Sequence, residues 1–355
     1  MMRHFSYSPA PARVVFGSGT RHDLAKEVES LGKHRLLLLS TAEQSAQAQE
    51  IASVLGSRVV GHFPEAAMHT PVDVTEKAMS LVNALTVDGI LSVGGGSTIG
   101  LGKAIAIRTD LDQIVLPTTY AGSEMTPILG ETNEGLKTTR SDQRIRPEVV
   151  IYDVDLTLDL PVAMSISSGL NAIAHAVEAL YAHDGNPIIS LMAVEGIRAL
   201  AHGLPGVVRD QRDEESRSSA LYGAWLCGMC LGSVAMGLHH KLCHTLGGTF
   251  NLPHAETHAV LLPHALAYNQ SRLGDTLDGL KGAFGPDVAL GLHTFSKSLG
   301  APTTLRELGM PQSGIDQAAK LALAKPYPNP RPLEEGAIRA LIGRAWAGEP
   351  PLTEE

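Results

Sequence analysis

Three cysteines in 355 residues leave no disulfide framework. Aromatic residues make only 4% of the chain, too few for a sandwich packed around Trp and Tyr. No long run of Lys or Arg occurs, and 28 basic against 37 acidic residues give a net charge of −9. An acidic chain of this kind is a poor partner for nucleic acid or an anionic membrane. The opening stretch MMRHFSYSPAPARVVFG carries no apolar run, so a cytoplasmic location is expected. One uncharged stretch, Ala220 to Leu238, is long enough to raise the question of a membrane span. Gly223, Gly228, Gly232 and Gly237 interrupt it and His239-His240-Lys241 follow, so a central helix buried in a helical domain is expected instead.

What is present is apolar material and glycine. Apolar residues make 44% of the chain and charged residues 18%, enough for buried cores and against disorder. The length suggests two domains. Up to about Tyr152, short apolar runs alternate with helical patterns. Arg35 to Ser40, Val87 to Val93, Gln113 to Pro117 and Glu148 to Tyr152 read as buried strands. Ser45 to Leu55, Asp73 to Leu85 and Thr98 to Ile107 read as helices. That alternation predicts a Rossmann-like parallel sheet covered by helices, an α/β domain. Thr126 to Arg146 breaks the rhythm and reads as a hairpin or flap on the sheet edge. From Pro161, suited to the first helical position, the pattern is helical throughout. Helices are expected over Ser168 to Tyr181, Ile188 to His202, Glu214 to Leu238, His258 to Tyr268, Asp287 to Leu299, Ile315 to Ala324 and Glu334 to Trp346. The expected division is 1–156, α/β, and 157–355, all-helical.

Gly94-Gly95-Gly96-Ser97 follows a strand and opens a helix. Backbone N–H groups at a helix start attract anions, and glycine lets a pyrophosphate approach, so Gly95, Gly96 and Ser97 are candidate cofactor contacts. The next strand ends in PTTYAGSE, which puts small hydroxyl residues at a carboxyl end facing the ligand crevice. Ser123 or Thr119 can equally serve as a helix cap there. Six of fifteen histidines fall between His239 and His264. His240 and His244 share a helix face at i, i+4, as do Asn171 and His175, and two such pairs can converge on one site in a bundle. Cys227 and Cys230 lie mid-helix and read as buried apolar residues.

GGGS, PTT…GSE, GLNAIAHAVEAL and HHKLCHTLGGTFNLPHAETHAVLLPH together resemble the landmarks of the iron-containing (group III) alcohol dehydrogenase family, over about residues 10 to 345. The resemblance implies the dehydroquinate synthase-like fold: a dinucleotide-binding α/β domain, an all-α domain, and an active site in the cleft between them. It implies that the family's metal-ligand positions are Asn171, His175, His240 and His254, with His244 near substrate and nicotinamide. Asn171 stands where the family carries aspartate. A neutral amide leaves a buried divalent ion with three imidazoles and no compensating charge, so no metal is expected. The shortened loop PTTYAGSE, the flap GETNEGLKTT and PHAETHA resemble the maleylacetate reductase branch.

The branch resemblance implies reduction of a conjugated carbon–carbon double bond in a dicarboxylate by NADH or NADPH, during aromatic-compound degradation, by a homodimer. Expected catalytic residues are His244 and His254 at the enolate oxygen, with Asn171, His175 and His240 shaping the pocket. Thr118, Tyr120 and Lys241 are candidates for the carboxylates. Thr41, Gly95, Gly96, Ser97, Thr118, Thr119, Ser123 and Lys137 are candidates for the dinucleotide. Thr41 occupies the place of the ribose-binding aspartate of NAD-specific members, with Glu43 pointing along the following turn, so both cofactors are expected to serve. Two other readings are a metal-dependent alcohol or lactaldehyde-type dehydrogenase and a nucleotide-binding protein without catalysis.

Overall fold

The computed structural model describes Phe5, Tyr7, 12–325 and 327–353, except the side chain of Lys137. The first unit contains β1 (Arg13–Gly17), α1 (Leu24–Ser30), β2 (Leu36–Leu39), α2 (Ser45–Ala52), β3 (Val59–Phe63), α3 (Val72–Leu85), β4 (Gly89–Gly94), α4 (Gly96–Thr109), β5 (Asp112–Pro117), β6 (Ile128–Asn133), β7 (Leu136–Ser141) and β8 (Val149–Asp153). Six strands form one parallel sheet in the order β1-β8-β5-β4-β2-β3. Both faces are covered, which is why β2 is an unbroken leucine run. Leu36 and Leu38 pack with Leu24, Val28, Ala48 and Ile51 of α1 and α2. Leu37 and Leu39, pointing the other way, pack with Ala78, Val82, Leu101 and Ile105 of α3 and α4.

The segment after β5 departs from its expected place. β6 and β7 make a separate antiparallel hairpin, whereas the edges of the large sheet are β1 and β3. The fully buried Lys103 of α4 holds this region. Its ammonium donates to the Ser123 and Ile128 carbonyls and the Thr126 hydroxyl, and burial lowers its pKa to about 7.

The second unit is helical: α5 (Val162–Leu180), α6 (Pro187–Arg209), α7 (Glu214–Leu231), α8 (Leu238–Phe250), α9 (His254–Gln270), α10 (Lys281–Phe284), α11 (Val288–Ser298), α12 (Ile315–Leu323) and α13 (Glu335–Ala347). Pro161 takes the cap of α5 rather than its first turn. The buried central helix is α5, in which every residue from Ser165 to Leu180 is buried. The stretch expected to fill that role is broken, because α7 stops at Leu231 before the Gly232–Gly237 connection. There the Asp184 and Glu178 carboxylates accept from the Ala235 and Gly237 N–H groups. One described helix, α6, is long and apolar enough to cross a membrane by length and composition. Its Gly196 lies against Gly223 of α7.

The boundary between the units falls at Leu160/Pro161, and Arg212–Leu221 groups with the sheet. Arg217 explains that grouping. Fully buried, it donates to the Leu160 carbonyl and to the Tyr120 hydroxyl.

Candidate active site

In the α/β unit the chain runs outward from β2 to β3 on one side and from β4 to β5 and β8 on the other. The direction reverses between β2 and β4, and ligands of open parallel sheets bind beyond the carboxyl ends at such a reversal. Thr41 follows β2, Gly95, Gly96 and Ser97 follow β4, and Thr118 and Thr119 follow β5. Gly94 sits at φ +155, and a Cβ there would meet the Thr98 hydroxyl, so glycine is required. A Cβ on Gly95 would strike Thr119, whereas the space beside Gly96 is open. Gln44 ties the loops together by donating from Nε2 to the Thr118 hydroxyl at 2.8 Å. α4 starts with no side chain capping it, which leaves its first N–H groups for an anion.

Some expected cofactor and substrate contacts are placed otherwise. Tyr120 is fully buried, and its hydroxyl accepts from Arg217. The Ser123 carbonyl and hydroxyl face Lys103. Lys137 lies in β7 opposite Thr132, and its side chain is outside the described residues. Glu43 does not simply follow the turn. Its own backbone N–H and the Thr41 hydroxyl hold its carboxyl below the usual range, so a negative charge stands beside Thr41.

In the helical unit six histidines gather around α5, α8 and α9. His175, His239, His240 and His258 are buried, whereas His254 is half-buried and His244 exposed. The His244 and His254 rings are nearly parallel, with centroids 6.3 Å apart. His258 lies next to His254 at 4.4 Å and near His239 and His240 at 4.8 and 4.9 Å. The structure therefore brings Asn171, His175, His240, His244 and His254 into one neighbourhood. Lys241 is half-buried one position past His240.

Inside the cluster the bonds are specific. His240 Nδ1 meets the Glu178 carboxylate at 2.6 Å, His175 Nδ1 meets His240 Nε2 at 2.8 Å, and Asn171 Nδ2 meets His175 Nε2 at 3.3 Å. Burial alone raises the Glu178 carboxyl, but the bond and charge of His240, with His239 and the Gly237 N–H, bring it below its ordinary value. Burial lowers His239 to about 3 and takes His258 well below its usual range, so both are neutral.

Glu178, His239 and His258 were absent from the sequence-derived site. The signals were available: Glu178 lies three residues after His175, and His258 four after His254, each on the same helical face. His239, Cys243 and His258 also put two ring nitrogens and a sulfur within 4.8 Å of one another, ligand types suited to a soft divalent ion. Burial raises the Cys243 thiol well above its ordinary value, and the trio stands as thiol and neutral imidazoles, with His239 Nε2 3.0 Å from His258 Nδ1.

Two family models match the chain. The iron-containing alcohol dehydrogenase model covers residues 11–154, and the Fe-containing alcohol dehydrogenase C-terminal model covers 165–346. The chain belongs to the iron-containing alcohol dehydrogenase family. Within it, maleylacetate reductases from Rhizobium sp. and Burkholderia cepacia are 55% and 54% identical, each aligned over 99% of this chain and 100% of its own length. A crystal structure of maleylacetate reductase from Agrobacterium tumefaciens superposes with a TM-score of 0.96 at 56% identity, covering 99% of this chain and 100% of that one. The chain is thus a member of the maleylacetate reductase branch, and its α/β and helical units are those of the family fold.

Proposed function

We propose that this chain is an oxidoreductase that reduces the carbon–carbon double bond of maleylacetate to give 3-oxoadipate, with NADH or NADPH as hydride donor. The observation that carries the reading is the identity of 55% over the full length of a maleylacetate reductase. Hydride delivered to the alkene carbon β to the ketone moves an electron pair onto the ketone oxygen. A proton then adds to the neighbouring carbon, so one NAD(P)H and one proton are consumed per turnover. His244 and His254, the outer pair of the cluster, are the residues assigned to the developing enolate oxygen. Thr118 and Lys241 are assigned to the carboxylates, and Gly95, Gly96, Ser97 and Thr119 to the dinucleotide.

Turnover without a metal is part of the proposal. Its support is the donor set at the family's ligand positions. His175 and His240 spend a ring nitrogen each on one another, Asn171 gives its amide N–H to His175, and Asn171 Oδ1 carries no charge. Asn171, His175 and His240, paired in this way, do not fit a dication. The proposal also takes both cofactors as substrates with NADH favoured, on account of the Glu43 charge. It places the enzyme in the cytoplasm as a homodimer, a state supported by the apolar groove that Phe5, Leu191 and Val194 line.

The test is steady-state oxidation of each cofactor with maleylacetate, product identified by mass, with and without EDTA, alongside metal analysis of the purified protein. Absence of 3-oxoadipate would overturn the reaction. Activity lost to EDTA and restored by iron or zinc would overturn its metal independence. Zinc retained by the wild type but lost from Cys243→Ser would assign the ion to the cysteine trio.

A further inference from the structure

We infer that Glu178 is a positioning residue: its buried carboxylate fixes the proton on His240 Nδ1 and so directs every hydrogen bond of the chain that runs from α8 to Asn171. The kinetic part of this inference rests on the function proposed above.

Asn171, His175 and Glu178 fall at i, i+4 and i+7 of α5, one face of the helix. Glu178 is 1% exposed. Its Oε1 accepts from the His239 N–H at 2.7 Å, and its Oε2 from the Gly237 N–H at 3.0 Å and His240 Nδ1 at 2.6 Å. α8 begins at Leu238 behind Gly237, which has no side chain to cap it. A carboxylate reaching across from α5 does that work, accepting from N–H groups that a helix start leaves unpaired. These donors hold it in one orientation toward the ring.

The directions then follow one by one. An ionised carboxylate only accepts, so His240 Nδ1 carries the hydrogen. With His240 neutral, a hydrogen on Nδ1 leaves a lone pair on Nε2, so the His175 nitrogen facing it, Nδ1, donates. His175 Nε2 is left with a lone pair, and the group opposite is the Asn171 amide nitrogen, which donates. Each hydrogen points toward Glu178. Asn171 Oδ1 is the one remainder, buried and without a hydrogen-bond partner. An aspartate at 171 has no hydrogen to give, and its oxygen would face the His175 lone pair unless a proton or cation came between them. Asparagine therefore completes, with its N–H, a chain that starts from a carboxylate seven residues later on the same helix. Glu178 supplies the direction and Asn171 closes it.

The experiment is nitrogen NMR of the full-length protein labelled at histidine, with His240 assigned by comparison with His240→Asn. The expected wild-type signature is a protonated, pyrrole-like Nδ1 and a pyridine-like Nε2. A protonated Nε2, or two interchanging tautomers, would overturn the inference with no variant required. In Glu178→Gln the carboxamide no longer forces the direction. The expected result is mixed tautomers at His240 and a kcat reduced on the order of 10- to 100-fold, the range for losing a residue that orients a site histidine, with the KM for NADH little changed. A folded Glu178→Gln protein with wild-type kcat would also overturn it. If that variant does not fold, the wild-type signature decides. A wild type that fails to reduce maleylacetate would refute the proposed reaction while leaving the tautomer measurement intact.

Discussion

His244 and His254 differ from the other cluster histidines in facing outward, and that exposure is what a residue touching substrate requires. Each alanine replacement is expected to lower kcat by about 10²–10³, the usual cost of one donor to an oxyanion. NADH affinity, read by fluorescence titration, should change little. Near-normal kcat in both variants would make the pair structural. Asn171→Asp addresses the inner end of the chain. It exchanges a donor for a charge, so affinity for zinc or iron should rise by at least tenfold in equilibrium dialysis, and metal-free activity should fall. Unchanged affinity would count against Asn171 as the family's carboxylate position. Glu43 makes a third test. Glu43→Gln removes the charge beside Thr41 and should raise kcat/KM for NADPH relative to NADH severalfold, less at high salt, where exposed charges are screened. No change in the ratio would mean that another group reads the ribose 2′ position.

Where α6 crosses α7, backbone lies against backbone. A Cβ at Gly223 would lie 2.7 Å from the Gly196 carbonyl oxygen and 2.9 Å from the Leu200 backbone nitrogen. Backbone cannot swing aside as a side-chain tip does, so Gly223→Ala should cost about 1–3 kcal/mol in urea unfolding. At Gly96, with open space around it, alanine should cost far less. Such crossings explain what the sequence concealed. A glycine in an apolar run signals a close approach but not the partner, so Ala220 to Leu238 looked continuous although α7 ends at Leu231. The central strands were legible because burial on both faces leaves a pure apolar run, as in Leu36–Leu39. β1 and β3 went unread because edge strands bury less: RVVFG and VVGHF are mostly half-buried and mix polar residues with apolar ones. The histidine pairs were legible from helical spacing. The bond from Glu178 to His240 was not, because it joins residues 62 apart in sequence and only the packing of α5 on α8 creates it.

Over the whole molecule, buried neutral histidines make stability depend on pH. His264, buried near His293 and Arg344, is lowered to about 3 chiefly by burial, and His239 similarly. In the unfolded chain an imidazole titrates at about 6.5. Between those values the unfolded chain binds more protons than the folded one, so stability rises with pH in that interval. The contribution is complete above about 6.5 and is lost as pH falls toward 3, with a limiting slope of about 1.4 kcal/mol per unit for each such group. Of the two, His264 offers the cleaner probe, because it lies outside the hydrogen-bonded chain and has a buried Nε2 with no hydrogen-bond partner. His264→Leu removes the titrating group while leaving the cavity filled by apolar atoms. Urea unfolding between pH 7 and 5 should then show a shallower fall in stability than the wild type, by about 1 kcal/mol per unit below pH 6. The absolute stability at pH 7 is not the readout, since leucine changes packing as well as charge. Parallel curves for the two proteins would show that His264 takes up a proton as readily in the folded chain as in the unfolded one, and the acid sensitivity would then belong to other groups.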